Sequence, residues 1–252
     1  MRQPRHERIV QLVRQNGYMS IEVLAKELDV TPQTIRRDIN MLAESGVLKR
    51  YHGGAGNGSS VQNEEYAMRK VWNQSEKERI AKLVAEQIPD NASLIMNIGT
   101  TVETVARALL DHKSLRVITN NLNVASIFGN RQDFEVIIAG GVVRPRDGGI
   151  IGEATIDFVR QFKVDYAVIG ISGIDEDGTL LDFDYREVRV AQAIVEHARQ
   201  IFLVADHGKF GRNAMVRMGH VSQVTALFTD LRPSDRLVQE LENAGTALYI
   251  AE

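Results

Sequence analysis

The chain has no cysteine among its 252 residues. Without a thiol there can be no disulfide, no thiolate zinc site and no cysteine nucleophile, and a chain of this kind suits a reducing compartment. No apolar run approaches the ~18 residues that indicate a membrane helix. The charged start, MRQPRHER, has no apolar segment behind it that could act as a secretory signal. We therefore expect a cytoplasmic protein that does not enter a membrane.

The bulk composition is that of an ordinary globular protein, with 44% hydrophobic and 25% charged residues. The length favours a small domain followed by a larger one. The charge is divided unevenly, because residues 1–60 hold nine Lys and Arg against six Asp and Glu, whereas the remainder holds 21 against 27. A mildly basic module on an acidic body is compatible with nucleic-acid binding at one end.

A stretch of small residues, GGAGNGSS at 53–60, forms the clearest break in the chain. It has too few apolar groups to pack, so we interpret it as the tip of a β-wing that runs into a linker. This break predicts a first domain over residues 1–57, a linker over 58–74 and a larger second domain over 75–252.

Three short helices are predicted in the first domain. Residues 5–15 carry apolar side chains at helical spacing, and Ser20 can cap a second helix. Thr31 and Pro32 begin a third, because threonine is an N-cap residue and proline at the first helical position costs no hydrogen bond. Gly46 is expected to end this helix. Its apolar stripe consists of Ile35, Ile39 and Leu42.

The polar face of the third helix carries the long donors that a recognition helix needs to reach base edges and phosphates. Residues 47–54 alternate enough to form one arm of a wing with further basic side chains. We expect Asp38, which interrupts the basic face, to point to solvent or to an arginine. The predicted DNA-binding residues are Thr31, Gln33, Thr34, Arg36, Arg37, Asn40, Lys49, Arg50 and His52. The alternative is a three-helix domain whose arginines are merely solvated surface charges.

The second domain begins with SEKE at 75–78, which matches a capping box. Short apolar runs then alternate with helical stretches, and the runs are too uniformly apolar for a sheet with one wet face. We therefore predict an α/β domain with a mostly parallel sheet and helices on both faces. The predicted strands cover residues 94–98, 115–119, 134–139, 164–171, 201–205 and 225–228. The predicted helices cover residues 102–110, 156–162, 187–198 and 234–243.

Ligands of an open parallel sheet gather beyond the carboxyl ends of its strands. Gly99, Thr100 and Thr101 follow one strand and lead into a helix, where free backbone N–H groups can hold a phosphate. Lys209 is a natural countercharge, and nearby amides or carboxylates could bind sugar or glycerol hydroxyls. The candidate effector-binding residues are Gly99, Thr100, Thr101, Asn120, Asn121, Gly140, Gly141, Asp175, Glu187 and Lys209. The simpler alternatives are a capped turn at 99–101, helix capping by Asn120 and Asn121, and a solvated loop lysine.

Four segments of the first domain together resemble the DeoR-type transcriptional repressors. They are RHERI at 5–9, YMSIEVLA at 18–25, VTPQTIRRD at 30–38 and RYHGGA at 50–55. The order of motifs from residue 75 onward is similar to the C-terminal domain of that family, which shares its fold with ribose-5-phosphate isomerases. The resemblance implies that residues 31–46 form the recognition helix. It also implies that a winged helix-turn-helix domain binds double-stranded operator DNA as part of a homo-oligomer, a dimer or a tetramer.

Three segments of the second domain look most like the family members that respond to glycerol 3-phosphate. They are RDGGIIGEAT at 146–155, GISGID at 170–175 and FDYREVR at 183–189. The resemblance implies a repressor that leaves its operator on binding a small phosphorylated effector, glycerol 3-phosphate or a sugar phosphate. The chain departs from the family pattern at Asn97, where aspartate is usual, and at Gly208, where serine is usual.

A sugar-phosphate isomerase with an appended DNA-binding domain is the alternative function. Isomerisation needs a base and an acid, for which Asp175, Glu187 and Lys209 are candidates. However, Ser172 and Gly173 stand at two positions where the isomerases have acidic residues. The six histidines show no metal-ligand spacing. We therefore predict a ligand-binding regulator with no catalytic residues, no cofactor and no metal.

Overall fold

A computed structural model describes residues 4–16, 18–44, 47–51, 53–56, 63 and 66–252 of the chain. Within these residues no helix is both long and apolar enough to cross a membrane. The winged domain comprises α1 (Pro4–Asn16), β1 (Tyr18–Ser20), α2 (Ile21–Glu27), α3 (Pro32–Glu44), β2 (Lys49–Tyr51) and β3 (Gly54–Gly56). Gly46, the predicted end of the third helix, lies outside the described residues.

The predicted caps and the apolar stripe of the winged domain are confirmed. The Ser20 hydroxyl accepts a hydrogen bond from the Val23 N–H at 3.2 Å, and that of Thr31 accepts one from the Thr34 N–H at 3.3 Å. These bonds satisfy donors that have no partner within their own helices. The stripe of α3 is fully buried and packs with α1 and α2 around one core, at Ile9, Leu24, Ile35, Ile39 and Leu42.

The glycine-rich stretch does not behave wholly as predicted, because residues 54–56 form a buried strand. This strand, β3, lies between β1 and β2 and pairs antiparallel with both. A Cβ on Gly54 would stand 2.1 Å from the Met19 carbonyl oxygen and 2.7 Å from the Tyr18 hydroxyl. Small residues are therefore required here for close packing, which composition alone does not distinguish from a flexible linker.

Asp38 is buried rather than solvated, and it holds α1 against α3. Its carboxylate accepts hydrogen bonds from Arg5 Nε at 2.6 Å and pairs with His6 Nε2 at 2.9 Å. Burial alone would raise the pKa of this carboxyl, but the hydrogen bonds from Arg5 and His6 outweigh that effect and lower the pKa. Of the two predicted surroundings of Asp38, the structure therefore has the arginine.

In the second domain, the described residues form seven α-helices and 12 strands, which make up a main sheet, its flanking helices and shorter hairpins. The helices are α4 (Tyr66–Val71), α5 (Gln74–Ala85), α6 (Thr100–Ala108), α7 (Leu122–Phe128), α8 (Glu153–Val159), α9 (Tyr185–Glu196) and α10 (Asp235–Ala244). The strands are β4 (Ser93–Met96), β5 (Arg116–Thr119), β6 (Glu135–Ile138), β7 (Val142–Val143), β8 (Ile150–Ile151), β9 (Val164–Gly170), β10 (Gly173–Ile174), β11 (Thr179–Asp182), β12 (Ala198–Val204), β13 (Val216–His220), β14 (Ala226–Thr229) and β15 (Ala247–Ile250). Short 3-10 helices cover Leu109–Asp111, His207–Lys209 and Val221–Gln223.

The predicted α/β architecture is confirmed. Seven parallel strands lie in the order β15, β14, β12, β9, β4, β5, β6. Residues of α5, α6 and α7 form the core on one face, and residues of α8, α9 and α10 form the core on the other. Coverage of both faces explains why the strands are uniformly apolar. The short hairpin strands β7, β8, β10, β11 and β13 were not predicted, because they lie outside the alternating core pattern.

The predicted capping box at 75–78 is wrong. Helix α5 begins at Gln74, and its N-cap is Asn73, a residue with φ of 50° that makes no side-chain cap. Ser75 bonds only to the neighbouring Glu76. Lys77 is turned inward and is only 3% exposed, because its ammonium group binds carbonyl oxygens at the end of α4.

The packing around Gly54 generates a test with a matched control. Gly54→Ala should destabilise the winged domain by about 2 kcal/mol or more, because overpacking forces the backbone to shift. Gly53→Ala should have little effect, because its Cβ would meet only the Tyr18 hydroxyl, at 3.4 Å. Melting temperatures of the full-length variants measure the difference. Equal losses in the two variants would contradict the close packing of β3 on β1.

Candidate functional site

The predicted recognition helix presents its polar residues on the side opposite the core. Thr31, Gln33, Arg36 and Arg37 are exposed, and Thr34 is half-buried. The hydroxyls of Thr31 and Thr34 lie 2.9 Å apart, so the cap at the start of α3 is firmly ordered. Helix α2 packs against α3 as in a helix-turn-helix.

Charged and polar groups near this face differ in how free they are to reach DNA. Arg36 lies 4.0 Å from Glu22 of α2, and both side chains are about half exposed, so water screens this pair. The Asn40 carboxamide oxygen is buried and has no hydrogen-bond partner among the residues that the structure describes.

One of the predicted basic residues of the wing is exposed to solvent in the structure. Arg50 is exposed on β2, and Lys49 precedes it in the same strand. His52 lies outside the described residues. Tyr51, the next residue of the strand, is buried and meets the Tyr18 ring edge-on at a centroid distance of 5.7 Å. Aromatic packing therefore holds Tyr51 of β2 in place, whereas the adjacent Arg50 is exposed.

A pocket opens at the carboxyl ends of β4, β9 and β12, the location at which parallel sheets bind ligands. The space between its walls, including the open mouth, is about 400 Å³. Five of the predicted effector residues line it: Gly99, Thr100, Thr101, Glu187 and Lys209. Its other lining residues are Arg69, Ile98, Gly170, Ile171, Ser172, Asp182 and Val204.

The start of α6 forms one wall of this pocket. Gly99 is the N-cap residue with φ of 149°, a backbone conformation that residues with a side chain rarely adopt. Thr100 and Thr101 follow it, and both are buried. The first turn of a helix offers unpaired backbone N–H groups and a partial positive charge. This wall therefore has the chemistry of an anion site.

The other five predicted effector residues do not line the pocket. Asn121 caps α7, with its side-chain oxygen accepting bonds from the Asn123 and Val124 N–H groups. Asn120 donates to the Ile150 carbonyl at 3.0 Å, and its own oxygen is buried without a partner in the described part of the chain. Neither amide is positioned on the pocket wall.

The remaining three residues lie in turns. Gly140 and Gly141 follow β6 on the exposed edge of the sheet, where the Gly140 carbonyl accepts a bond from Thr155 at 2.8 Å. Asp175 lies in the turn between β10 and β11, where its backbone pairs with Thr179. Partial burial raises the pKa of the Asp175 carboxyl, with a further contribution from Asp177.

The pocket holds two cationic and two carboxylate side chains. Burial lowers the pKa of Lys209, and Asp206 partly opposes that effect, while the nearby Arg69 adds to it. Burial and the neighbouring Asp182 together raise the pKa of Glu187 to about 7, although Arg144 acts in the opposite direction. Burial also raises the pKa of Asp182. One end of the pocket therefore favours an anion, and the other offers acceptors for hydroxyl groups.

An ion cluster around Arg144 holds the carboxylate side of the pocket in place. Arg144 donates to both oxygens of Asp147 at 2.8 and 2.7 Å. Its NH1 group lies 2.7 Å from Glu187 and 3.3 Å from Asp184. Asp147 also lies 3.5 Å from Arg69. Because the Arg144 side chain is only 8% exposed, these pairs are scarcely screened by water.

Sequence reasoning missed three polar residues of the pocket: Arg69, Ser172 and Asp182. Arg69 belongs to α4, a helix within the segment predicted as a linker. The Ser172 hydroxyl donates to Asp182 at 3.0 Å, so the serine at a position acidic in the isomerases orients a carboxylate instead. Of the three, only Ser172 could have been found from the sequence, because it lies in the segment GISGID directly after a predicted strand. The described residues contain no group of three or more histidine or carboxylate side chains that could hold a metal ion.

Gly208, where serine is usual, lies in a tight position beside the pocket. A Cβ there would approach Asp206 Oδ1 to 2.8 Å and Asn73 Nδ2 to 3.4 Å. Asp206 accepts a hydrogen bond from that same Asn73 atom, also at 2.8 Å. Glycine at position 208 leaves room for this hydrogen bond, which joins the segment between α4 and α5 to the segment after β12.

Both domains match known family models. Residues 5–61 match the DeoR-like helix-turn-helix domain, and residues 72–231 match the DeoR C terminal sensor domain. The chain is 55% identical to the glycerol-3-phosphate regulon repressor of Escherichia coli (strain K12), over 94% of each protein. It is 51% identical to the repressor of the same name from Haemophilus influenzae, over 98% of this chain and 96% of the relative. Ribose 5-phosphate isomerase A from Neisseria gonorrhoeae is a distant structural neighbour, 15% identical over 54% of each chain with a TM-score of 0.39.

The ion cluster generates a prediction about stability. Arg144→Met should lower the free energy of unfolding by about 3 kcal/mol near pH 8, because it leaves buried carboxylates without their countercharge. It should also raise the pKa of Glu187 above about 7, so the loss should shrink as the pH falls and that carboxyl takes up a proton. Urea unfolding between pH 6 and pH 8 measures both effects.

Arg146 provides the matched control for this experiment. It lies 3.7 Å from Asp147 and 3.9 Å from Asp184, but 47% of its side chain is exposed. Arg146→Met should therefore change stability by less than about 1 kcal/mol. If both variants were equally stable at pH 8, the Arg144 cluster would not be the support that its geometry indicates.

Proposed function

Because the chain belongs to the DeoR family of DNA-binding transcriptional repressors, we propose that glycerol 3-phosphate is the effector that releases it from operator DNA. The family is regulatory, which confirms the prediction of a repressor over the alternative of a sugar-phosphate isomerase. Two relatives named glycerol-3-phosphate regulon repressors are more than half identical to this chain, which supports the choice of effector.

The observation that carries the proposal is the polarity of the pocket at the ends of β4, β9 and β12. A phosphate can accept hydrogen bonds from the first turn of α6 and from Lys209 at one end of it. Asp182 and Glu187 can accept hydrogen bonds from the two hydroxyls of glycerol 3-phosphate at the other. A ligand with one anionic end and a short chain of hydroxyls satisfies both ends together.

On the DNA side, the proposal assigns the exposed polar face of α3 to the major groove and the basic residues of β2 to phosphates. Arg36 and Arg37 lie on the exposed part of α3. Thr31 and Thr34 stand at its N-terminus, where backbone N–H groups can also meet a phosphate. Gln33, Asn40, Lys49, Arg50 and His52 complete the proposed interface.

We also propose that the repressor works in the cytoplasm as a homo-oligomer, a dimer or a tetramer. Winged domains in an oligomer can bind two operator half-sites at once when their spacing matches that of the DNA. If the effector prefers an arrangement with the wrong spacing, effector binding and DNA binding disfavour each other. Moving the protein from mostly bound to mostly free requires a difference of about 10⁴-fold in effector affinity between the states, summed over subunits.

The effector is tested by fluorescence anisotropy with a labelled duplex that the protein has selected from a random-sequence pool. Glycerol 3-phosphate should weaken DNA binding at least about tenfold, whereas glycerol and inorganic phosphate should each have little effect, because each satisfies only one end of the pocket. Ribose 5-phosphate and fructose 6-phosphate serve as sugar-phosphate controls. Lys209→Met should bind DNA normally but respond to the effector only at much higher concentrations. If the affinity for the duplex were the same with glycerol 3-phosphate as with every control compound, the proposed effector would be refuted.

The DNA interface is tested by removing single charges from α3. Arg36→Ala and Arg37→Ala should each weaken binding of the selected duplex by about tenfold or more, because a specific contact contributes about 1–3 kcal/mol. Each should also reduce the dependence of affinity on salt if the arginine binds a phosphate. Arg160→Ala is the matched control, because it removes a similarly exposed charge from the end of α8. If Arg160→Ala weakened binding as much as the α3 variants do, the assignment of α3 to the groove would be wrong.

A further inference from the structure

A second pocket lies between the winged domain and the second domain, and it shares a wall with the effector pocket. Tyr18 of β1 lines it from the winged domain, and Trp72 and Asn73 line it from the segment between α4 and α5. Arg69 and Lys209 line both pockets. The two side chains that face the proposed phosphate are therefore also part of the boundary between the domains.

Arg69 is connected to its surroundings through both its backbone and its side chain. Its guanidinium lies 3.5 Å from Asp147, in the ion cluster of the effector pocket. Its carbonyl oxygen accepts a hydrogen bond from the Thr100 hydroxyl at 3.2 Å and another from Lys77 Nζ. Because Thr100 stands in the first turn of α6, the end of α4 is bonded directly to the proposed phosphate site.

The end of α4 leads into an aromatic contact with the winged domain. Lys77 also donates to the Trp72 carbonyl at 2.6 Å, which fixes the chain immediately after the helix. The Trp72 ring packs on the Tyr18 ring at a centroid distance of 5.8 Å, and Tyr18 in turn packs on Tyr51 of the wing. Tyr18 is only 3% exposed. A displacement of Trp72 must therefore be accommodated by β1 and by the wing.

The charges at the shared wall favour an anion. Arg69 and Lys209 are close enough for the charge of Arg69 to lower the pKa of Lys209. The buried Lys77 adds a third positive charge, and burial lowers its pKa to about 8. The carboxylate of Asp206, which also lines the second pocket, interacts with both Lys209 and Lys77 and offsets part of this positive charge. Like charges held together in a partly buried site repel one another, and a phosphate dianion bound between them removes that repulsion.

We propose that Arg69 is a ligand of the effector's phosphate and that it transmits effector binding to the winged domain through the contact between Trp72 and Tyr18. This inference rests on the proposed function and specifies how effector binding is transmitted to the winged domain. A phosphate bound by Lys209 and Arg69 draws the guanidinium away from Asp147. Because Arg69 lies two residues before the end of α4, the displacement passes along the last part of the helix to Trp72. The domain contact then changes, and with it the placement of the recognition helix.

The chain contains a single tryptophan, so the fluorescence of Trp72 reports on this contact without a label. In the full-length wild-type protein, glycerol 3-phosphate should change the Trp72 emission over the same concentrations that release the selected duplex. Arg69→Gln should have the far-UV circular dichroism spectrum of a folded protein, and its affinity for that duplex is measured without effector as the reference for its own release. It should bind the effector about tenfold more weakly or worse in calorimetry. At saturating effector it should show neither the emission change nor the release of DNA.

Two control variants separate affinity from coupling. Thr101→Val alters the effector pocket but not α4, so it should weaken effector binding yet release DNA fully at saturation. Lys70→Gln removes an exposed charge from α4 next to Arg69, and it should behave as the wild type does. Full release of DNA by saturated Arg69→Gln, or an unchanged Trp72 emission in the wild type during release, would overturn the proposed route. A wild type whose DNA binding is insensitive to glycerol 3-phosphate would refute the proposed function and this inference together.

Discussion

A buried guanidinium among three carboxylates is the constraint on which the proposed effector pocket depends. Arg144 neutralises Asp147, Asp184 and Glu187. An unpaired charge in this position would cost several kcal/mol. The segment between β7 and β8, which carries Arg144 and Asp147, therefore has to remain next to α9, which carries Glu187. Asp147 extends the cluster to Arg69, which adds α4 to the same group of charges. The position of the pocket wall is thus set by electrostatic pairing as much as by the sheet behind it.

The pocket illustrates how a binding site can occupy the location that an enzyme would use for catalysis. Its carboxylates are held by partners, with Asp182 accepting from Ser172 and Glu187 paired with Arg144. A carboxylate restrained in this way is well placed to accept hydrogen bonds from hydroxyl groups. The pKa of Glu187, about 7, allows it either to accept or to donate near neutral pH. These properties fit recognition of a polyol phosphate in a family whose members are repressors.

Among the described residues, a series of contacts connects α4 to the winged domain. Helix α4 is tied to the second domain at its start, where Tyr66 donates to Glu103 at 2.7 Å, and at its end by Lys77. Trp72 then meets Tyr18 across the boundary. A short helix held at both ends moves as a unit, because bending it would break its own hydrogen bonds. This arrangement is the basis of the proposal that α4 transmits effector binding to the winged domain.

The sequence by itself determined the helices and caps of the winged domain, the alternation of strands and helices, and half of the predicted pocket residues. These features depend on neighbours along the chain, through the period of apolar residues, the chemistry of N-caps and the ends of parallel strands. Only the tertiary structure decided that Gly54 belongs to a buried strand and that Arg69 and Asp182 face the pocket. Each of those outcomes depends on side chains from segments far apart in the sequence, and close packing and charge pairing between such segments leave no local periodicity to read.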